Sequence, residues 1–196
     1  MKQTNKILNH IRNWEIKRKL LKCFFLFFLF SCQSRIVPEY SLRVENVQSL
    51  KSIETKRLIN IEIGNSLSTT IKELLCRLES EIQVSNGTFE TYIKNALIEE
   101  LRNVNYYSNK SKNKIFINLV DINLNTFSNP SWDITLQVTF NDNHKLILKE
   151  EYLFESNLYA EAACSNAKWA FMNAVQKLIN SIISNPDFRE LLRKKE

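Results

Sequence analysis

The chain has 196 residues, with 27 basic and 21 acidic side chains and a formal net charge of +6. Residues 1–31 hold seven of the basic residues and one acidic residue, so residues 32–196 carry 20 of each and are neutral. A neutral domain lacks the basic surface that binds phosphate backbones, which argues against nucleic acid as a partner.

The start of the chain has the order of a secretory signal peptide. A basic cluster, Lys17–Lys19, precedes the apolar run Leu20–Phe30, which ends at the small residue Ser31. The run is much shorter than the roughly 20 residues that a membrane-spanning helix needs. A buried helix of a cytosolic protein is also disfavoured, because five phenylalanines in the seven residues from Phe24 leave no polar face.

The tetrad Leu29-Phe30-Ser31-Cys32 resembles the lipobox of bacterial lipoproteins. In that family the chain is cut before the cysteine, which then carries the lipid. The resemblance implies that residues 1–31 are a signal peptide cleaved between Ser31 and Cys32. Lipidation of Cys32 would anchor the protein to the cell membrane, because two or more acyl chains hold firmly. The alternative is a plain cleaved signal with an incidental cysteine.

The residue after the lipidated cysteine bears on location. In enteric lipoproteins an aspartate at this position signals retention in the inner membrane. Gln33 stands there instead, so the resemblance implies the outer membrane, with the domain facing the periplasm.

Two cysteines remain beyond the lipobox, Cys76 and Cys164. An even pair in a chain sent to an oxidising compartment favours a disulfide, and we predict that these two are bridged. The alternative is two separate buried thiols. No metal is expected, because His144 is the only histidine of the mature chain and no spacing is typical of zinc ligands.

Residues 32–57 are predicted to be a lipidated N-terminus followed by a flexible tether. They contain Pro38 and few large apolar clusters. Within this stretch Tyr40–Val44 is a candidate strand. A single folded domain would then span residues 58–196, long enough to enclose its own core.

The first part of this domain mixes strand and helix periodicity. Leu58–Ile63 alternates apolar and polar residues, which predicts a half-buried strand. Leucines at helical spacing from Leu67 to Leu78 predict a short helix. A small strand at Ile82–Val84 precedes an amphipathic helix that Thr88 caps.

A three-strand meander and a long helix are predicted next. Ile115–Leu124, Ile134–Phe140 and Leu146–Phe154 alternate as strands, and a change of phase at Leu119–Val120 indicates a β-bulge. The alanine-rich run after Asn157 predicts a long helix that proline stops. The whole order predicts an α+β two-layer sandwich with a mostly antiparallel sheet and helices on one face.

No residue set in the sequence is typical of catalysis. There is no Gly-x-Ser-x-Gly motif, and two glycines are too few for a phosphate-binding loop. The pairs Glu99-Glu100 and Glu150-Glu151 are predicted to lie on solvated faces. We therefore expect neither an enzyme nor a cofactor. Trp132 is a candidate binding anchor beside the Asn129-Pro130 turn, and the alternative is that it covers the sheet edge.

The order of elements resembles small uncharacterised lipoproteins of Gram-negative bacteria. The helix from Thr88, the meander with Ser131–Asp133 and the run Ala163–Gln176 carry this likeness. The order also looks like the lipopolysaccharide-assembly lipoprotein and the auxiliary lipoproteins of ABC transporters. These resemblances imply a non-enzymatic domain that binds an envelope protein partner in transport or assembly.

A periplasmic binder of a small ligand or lipid is the alternative function. It would use the exposed sheet face. Thr135, Gln137 and Thr139 make that face polar, which argues against an apolar ligand there.

Overall fold

The computed structural model describes residues 35–54, 57–64, 71–77, 80–141 and 144–193. The predicted signal peptide, its cleavage site and Cys32 lie outside these ranges. All described residues belong to one unit, Ser34–Glu196. Within them no helix combines the length and the apolar character needed to cross a bilayer.

The described residues form strands and helices in alternating groups. The strands are β1 Arg35–Ile36, β2 Asn60–Ile63, β3 Glu73–Cys76, β4 Ser80–Gln83, β5 Lys114–Asn125, β6 Ser131–Phe140 and β7 Lys145–Leu153. The helices are α1 Val44–Lys51, α2 Phe89–Asn103, α3 Ala160–Ser184 and α4 Pro186–Arg193.

The main sheet has the strand order β2-β5-β6-β7. β5, β6 and β7 form the predicted antiparallel meander, while β2 pairs in parallel with β5. Alternation in the sequence sets the orientation of β6, since its even-numbered residues from Trp132 to Phe140 are buried and its odd-numbered ones from Asp133 to Thr139 are half-exposed. The helices cover the buried face, which confirms the predicted α+β class.

The predicted bulge is present in β5. The register against β6 shifts between Leu119 and Asp121. The backbone N–H of Leu119 donates to the Glu90 carboxylate at 2.8 Å. A side chain from α2 therefore accepts a hydrogen bond at the point where the ladder is interrupted.

The long helix packs closely on the sheet because its inner face is small. Four alanines are buried along it: Ala163, Ala167, Ala170 and Ala174. They let α3 lie against β6 and β7. The helix ends at Ser184, and its C-cap Asn185 directly precedes Pro186, as the sequence predicts.

The helix predicted from Leu67 to Leu78 is wrong over Glu73–Cys76, which is strand β3. β3 pairs antiparallel with β4, and β1 adds to β4 in parallel, so that a second, three-stranded sheet forms. Burial alternates along β3, since Glu73 and Leu75 are exposed whereas Leu74 is half-buried and Cys76 is buried, as expected of a strand. Residues 65–70 lie outside the described ranges.

The flexible tether predicted for residues 32–57 is wrong for residues 35–54. This stretch contributes β1 to the second sheet, and α1 packs against α2 and α3. The candidate strand at Tyr40–Val44 is not formed. The error has a physical cause, because α1 turns the polar side chain of Asn46 inward beside Leu50 and so lacks a wholly apolar face.

Candidate functional site

An open groove of about 650 Å³ lies between the start of α1, the middle of α3 and the end of β7. Its walls combine amide, charged and apolar side chains. The lining residues are Leu42, Arg43, Val44, Glu45, Tyr152, Asn173, Gln176, Lys177 and Asn180. We call this feature the α1–α3 groove.

A hydrogen-bond network adjoins the α1–α3 groove. Asn46 is fully buried and joins three elements. Its amide donates to the main-chain oxygen of Gln176 at 3.1 Å and to Glu100 at 3.2 Å, and its oxygen accepts from Asn180 at 3.0 Å. Of the amides that line the groove, that of Asn180 is thus bonded to a fully buried side chain.

Glu100 is the centre of this network. Its carboxylate is fully buried, and one oxygen, Oε1, accepts from the Tyr40 hydroxyl at 2.6 Å, the Arg43 N–H at 3.1 Å and Asn46. The other oxygen, Oε2, has no hydrogen-bond partner among the described residues. Three donors on one oxygen stabilise a carboxylate that burial would otherwise penalise.

The pKa values of two tyrosines are shifted: Tyr40, which bonds Glu100, and Tyr92, whose ring lies edge-on to that of Tyr40. Burial, and then the hydrogen bond to Glu100, raises the pKa of Tyr40 far above its ordinary value. Burial alone raises the pKa of Tyr92, whose hydroxyl donates to the Pro38 carbonyl at 2.9 Å. Both phenols therefore stay protonated while the segment before α1 is in place.

A second buried acidic residue adjoins the α1–α3 groove through its pair with Lys177, which lines the groove. Glu150 is largely buried, and its carboxylate pairs with Lys177 at 2.6 Å and accepts from Ser181 at 3.3 Å. Lys177 also donates to the Glu151 carbonyl at 3.1 Å. This pair joins β7 to α3 at the edge of the groove.

The solvated faces predicted for Glu99-Glu100 and Glu150-Glu151 are wrong for Glu100 and Glu150. Glu100 follows Ile93 and Ala96 at seven and four residues, so it lies on the buried stripe of α2. The burial of Glu100 could have been predicted from this spacing. The partners of Glu100 could not be predicted, because they lie in the segment expected to be a tether.

The candidate binding role of Trp132 is wrong. Its indole is fully buried, and its N–H donates to the Ala167 carbonyl at 2.8 Å. Its ring lies 4.9 Å from that of Phe171 and 6.1 Å from that of Phe89, measured between centroids. Trp132 therefore belongs to the core beneath α2 and α3 and has no exposed surface for a partner.

The predicted disulfide between Cys76 and Cys164 is confirmed. It joins the end of β3 to the first turns of α3, and both residues are buried. In the described ranges no group of three or more His, Cys, Asp and Glu residues could hold a metal ion.

No protein-family model and no curated protein matches the chain. Among solved structures, a crystal structure of a Xanthomonas campestris protein from family model DUF330 is similar in part. The match covers 78% of this chain and 90% of that chain, at 9% sequence identity and a TM-score of 0.45. The likeness is thus to an uncharacterised bacterial protein and carries no argument about function.

Proposed function

We propose that the protein is a lipid-anchored, non-enzymatic domain of the cell envelope that binds a protein partner. The observation that carries this proposal is where the predicted cleavage falls. Cutting before Cys32 leaves the entire unit Ser34–Glu196 and its disulfide intact. A buried disulfide supports an oxidising compartment, such as the periplasm.

The α1–α3 groove is the surface proposed to hold the partner. Its amides, from Asn173, Gln176 and Asn180, can donate to and accept from a peptide backbone. Among the described residues that line it there is no histidine, cysteine or serine. The amine that lines it, Lys177, is paired with the Glu150 carboxylate, which favours recognition over covalent chemistry.

Intact-mass measurement of the protein purified from bacterial membranes tests the anchor. We expect a mass that begins at Cys32 and includes acyl chains, and that rises on reduction by the two hydrogens of one disulfide. A Cys32→Ser variant is the control and should keep its signal peptide. An uncleaved wild-type protein without lipid in the soluble fraction would contradict the proposal.

The same membranes test the partner. A photo-cross-linking side chain replaces Val44, which lines the groove and is 66% exposed. The matched control replaces Ile147, which is 60% exposed on β7. We expect one envelope protein to be linked at position 44 and none at position 147; equal labelling at both positions would count against the groove.

A periplasmic small-ligand binder is the second candidate function. The volume of the α1–α3 groove, about 650 Å³, lies within the range of small-molecule sites. Native mass spectrometry of the purified protein separates the two. A bound small molecule that is lost in an Asn180→Ala variant would favour the ligand binder, and a partner cross-link at position 44 would favour the first proposal.

A further inference from the structure

Three large side chains are exposed together at one end of the domain. Phe127, between β5 and β6, is 67% exposed, and Leu158 and Tyr159, just before α3, are 95% and 79% exposed. We call these three residues the apolar tip. Isolated exposed apolar residues need no explanation, but a grouped set marks an interaction surface.

Arg77 holds the two segments of the apolar tip together. Its guanidinium donates to the Thr126 carbonyl on one side and to the Asn157 and Leu158 carbonyls on the other, the last two at 2.7 and 3.0 Å. The same group lies 5.1 Å from the centroid of the Phe127 ring. The exposed side chains therefore project from a fixed frame.

The disulfide strengthens this frame. Arg77 directly follows Cys76, which is bridged to Cys164 one turn into α3. The bridge thus ties the residue that holds both segments to the helix that follows Tyr159.

β1 begins at this same end of the domain. It runs parallel to β4, with Arg35 opposite Ile82, so its first residue lies at the end of the small sheet where β4 follows the turn with Arg77. The Arg35 guanidinium donates to the Glu161 carbonyl at 3.1 Å, two residues after Tyr159. Two residues lie between Cys32 and Arg35, and the three chain steps that join them span at most about 10 Å.

We propose that the apolar tip lies in the interfacial layer of the bilayer that holds the Cys32 lipid. This proposal rests on the proposed lipid anchor, which keeps this end of the domain at the membrane. Phenylalanine, tyrosine and leucine suit the boundary between headgroups and acyl chains.

The charges at this end make the contact independent of anionic lipid. Glu155 and Glu161 flank the Leu158–Tyr159 segment and offset Arg35 and Arg77. Burial of apolar surface then drives the contact, so zwitterionic lipid suffices and added salt has little effect.

Fluorescence quenching in vesicles tests the apolar tip. The full mature protein, purified with its lipid, carries Trp169→Phe to remove an exposed tryptophan, and Phe127→Trp as the reporter. Ile147→Trp is the matched control, since it is 60% exposed and lies about 20 Å along the sheet from the tip. The vesicles are zwitterionic phosphatidylcholine with bromine on the acyl chains.

We expect bromolipid to quench the tryptophan at position 127 several-fold more than that at position 147, with a blue shift of its emission at low and high salt. A triple variant with Phe127, Leu158 and Tyr159 changed to asparagine should keep the melting temperature, because all three are exposed. On vesicles, added protease should cut the segments around positions 127 and 158 faster in this variant than in the wild-type protein, whose tip the bilayer shields. Equal quenching at both positions would overturn the proposal. That result is also the one expected if a protein, rather than the bilayer, covers the tip.

Intact mass of the same samples separates this proposal from the anchor. Lipidated protein without quenching at position 127 refutes the tip and leaves the anchor standing. Quenching at position 127 in membrane-purified protein whose intact mass shows no lipid refutes the anchor and supports the tip.

Discussion

Glu100 shows how one residue fixes a whole segment. Its buried Oε1 accepts from Tyr40, Arg43 and Asn46, all of which precede or begin α1, while Glu100 itself belongs to α2. Hydrogen bonds to a charged acceptor are about twice as strong as neutral ones. The carboxylate therefore holds this segment against α2 through hydrogen bonds, whereas packed apolar side chains hold the other parts of the core together.

Replacing Glu100 by alanine should lower the free energy of unfolding by about 2–4 kcal/mol, because three buried donors lose their acceptor. Urea denaturation of the purified protein measures the change. Glu99→Ala is the matched control, at the exposed position of α2 directly before Glu100. Its free energy of unfolding should stay within about 0.5 kcal/mol of wild type. Equal effects of the two substitutions would show that Glu100 does not organise the segment.

At the scale of elements, the sequence predicts those helices and strands whose apolar residues follow a regular local spacing. α2, α3 and the meander follow regular apolar spacing, and Thr88 caps α2 through the Thr91 N–H at 3.1 Å. α1 lacked that signal because its inward residue, Asn46, is polar. The candidate groove was missed with it, since the start of α1 forms one of its walls.

β3 illustrates the other kind of error. Apolar residues at positions 71, 74, 75 and 78 fit a helix as well as a strand. Pairing with β4 and the distant bridge to Cys164 select the strand. The bridge is non-local, at a sequence separation of 88, so no short window of sequence contains it.

The segment before α1 should give the protein a marked sensitivity to alkaline pH. The pKa values of Tyr40 and Tyr92 are raised in the fold, so their neutral forms stabilise it. That contribution is complete below the unfolded pKa of about 10 and falls as the pH rises above it. Urea denaturation between about pH 9 and 11 should show the free energy of unfolding decreasing with pH.

The double variant Tyr40→Phe and Tyr92→Phe isolates this effect. It should be less stable than wild type at neutral pH, because two hydrogen bonds are lost, yet less sensitive to pH above about 10. Tyr159→Phe, at a position 79% exposed, is the control and should keep the wild-type slope. An unchanged slope in the double variant would mean that these phenols ionise as freely in the fold as outside it.

At the scale of the whole molecule, the disulfide joins the three-stranded sheet to α3. The three-stranded sheet is small, with strands of two and four residues. Its covalent link to α3 closes a loop over a sequence separation of 88 residues. The cysteine pairing was predictable from the number of cysteines and the expected compartment, whereas the sheet that it secures was not.

Removing the bridge should therefore act on one part of the molecule more than on the rest. Cys76→Ser with Cys164→Ser should lower the free energy of unfolding by about 4–5 kcal/mol in the chain-entropy account. Hydrogen exchange should rise most in β3 and β4, because short strands with few partners open locally first. Exchange in β5 and β6 should stay close to wild type, since that pairing is long and covered by α3.

The distribution of exchange decides how the layers are coupled. A rise confined to β3, β4 and the residues around Arg77 would mean that the bridge holds one end of the domain on an independently stable core. A uniform rise through β5 and β6 would contradict this, because it would make the small sheet part of the same cooperative unit. Wild-type protein measured in reductant supplies the control, because the reductant opens the bridge without substituting any residue.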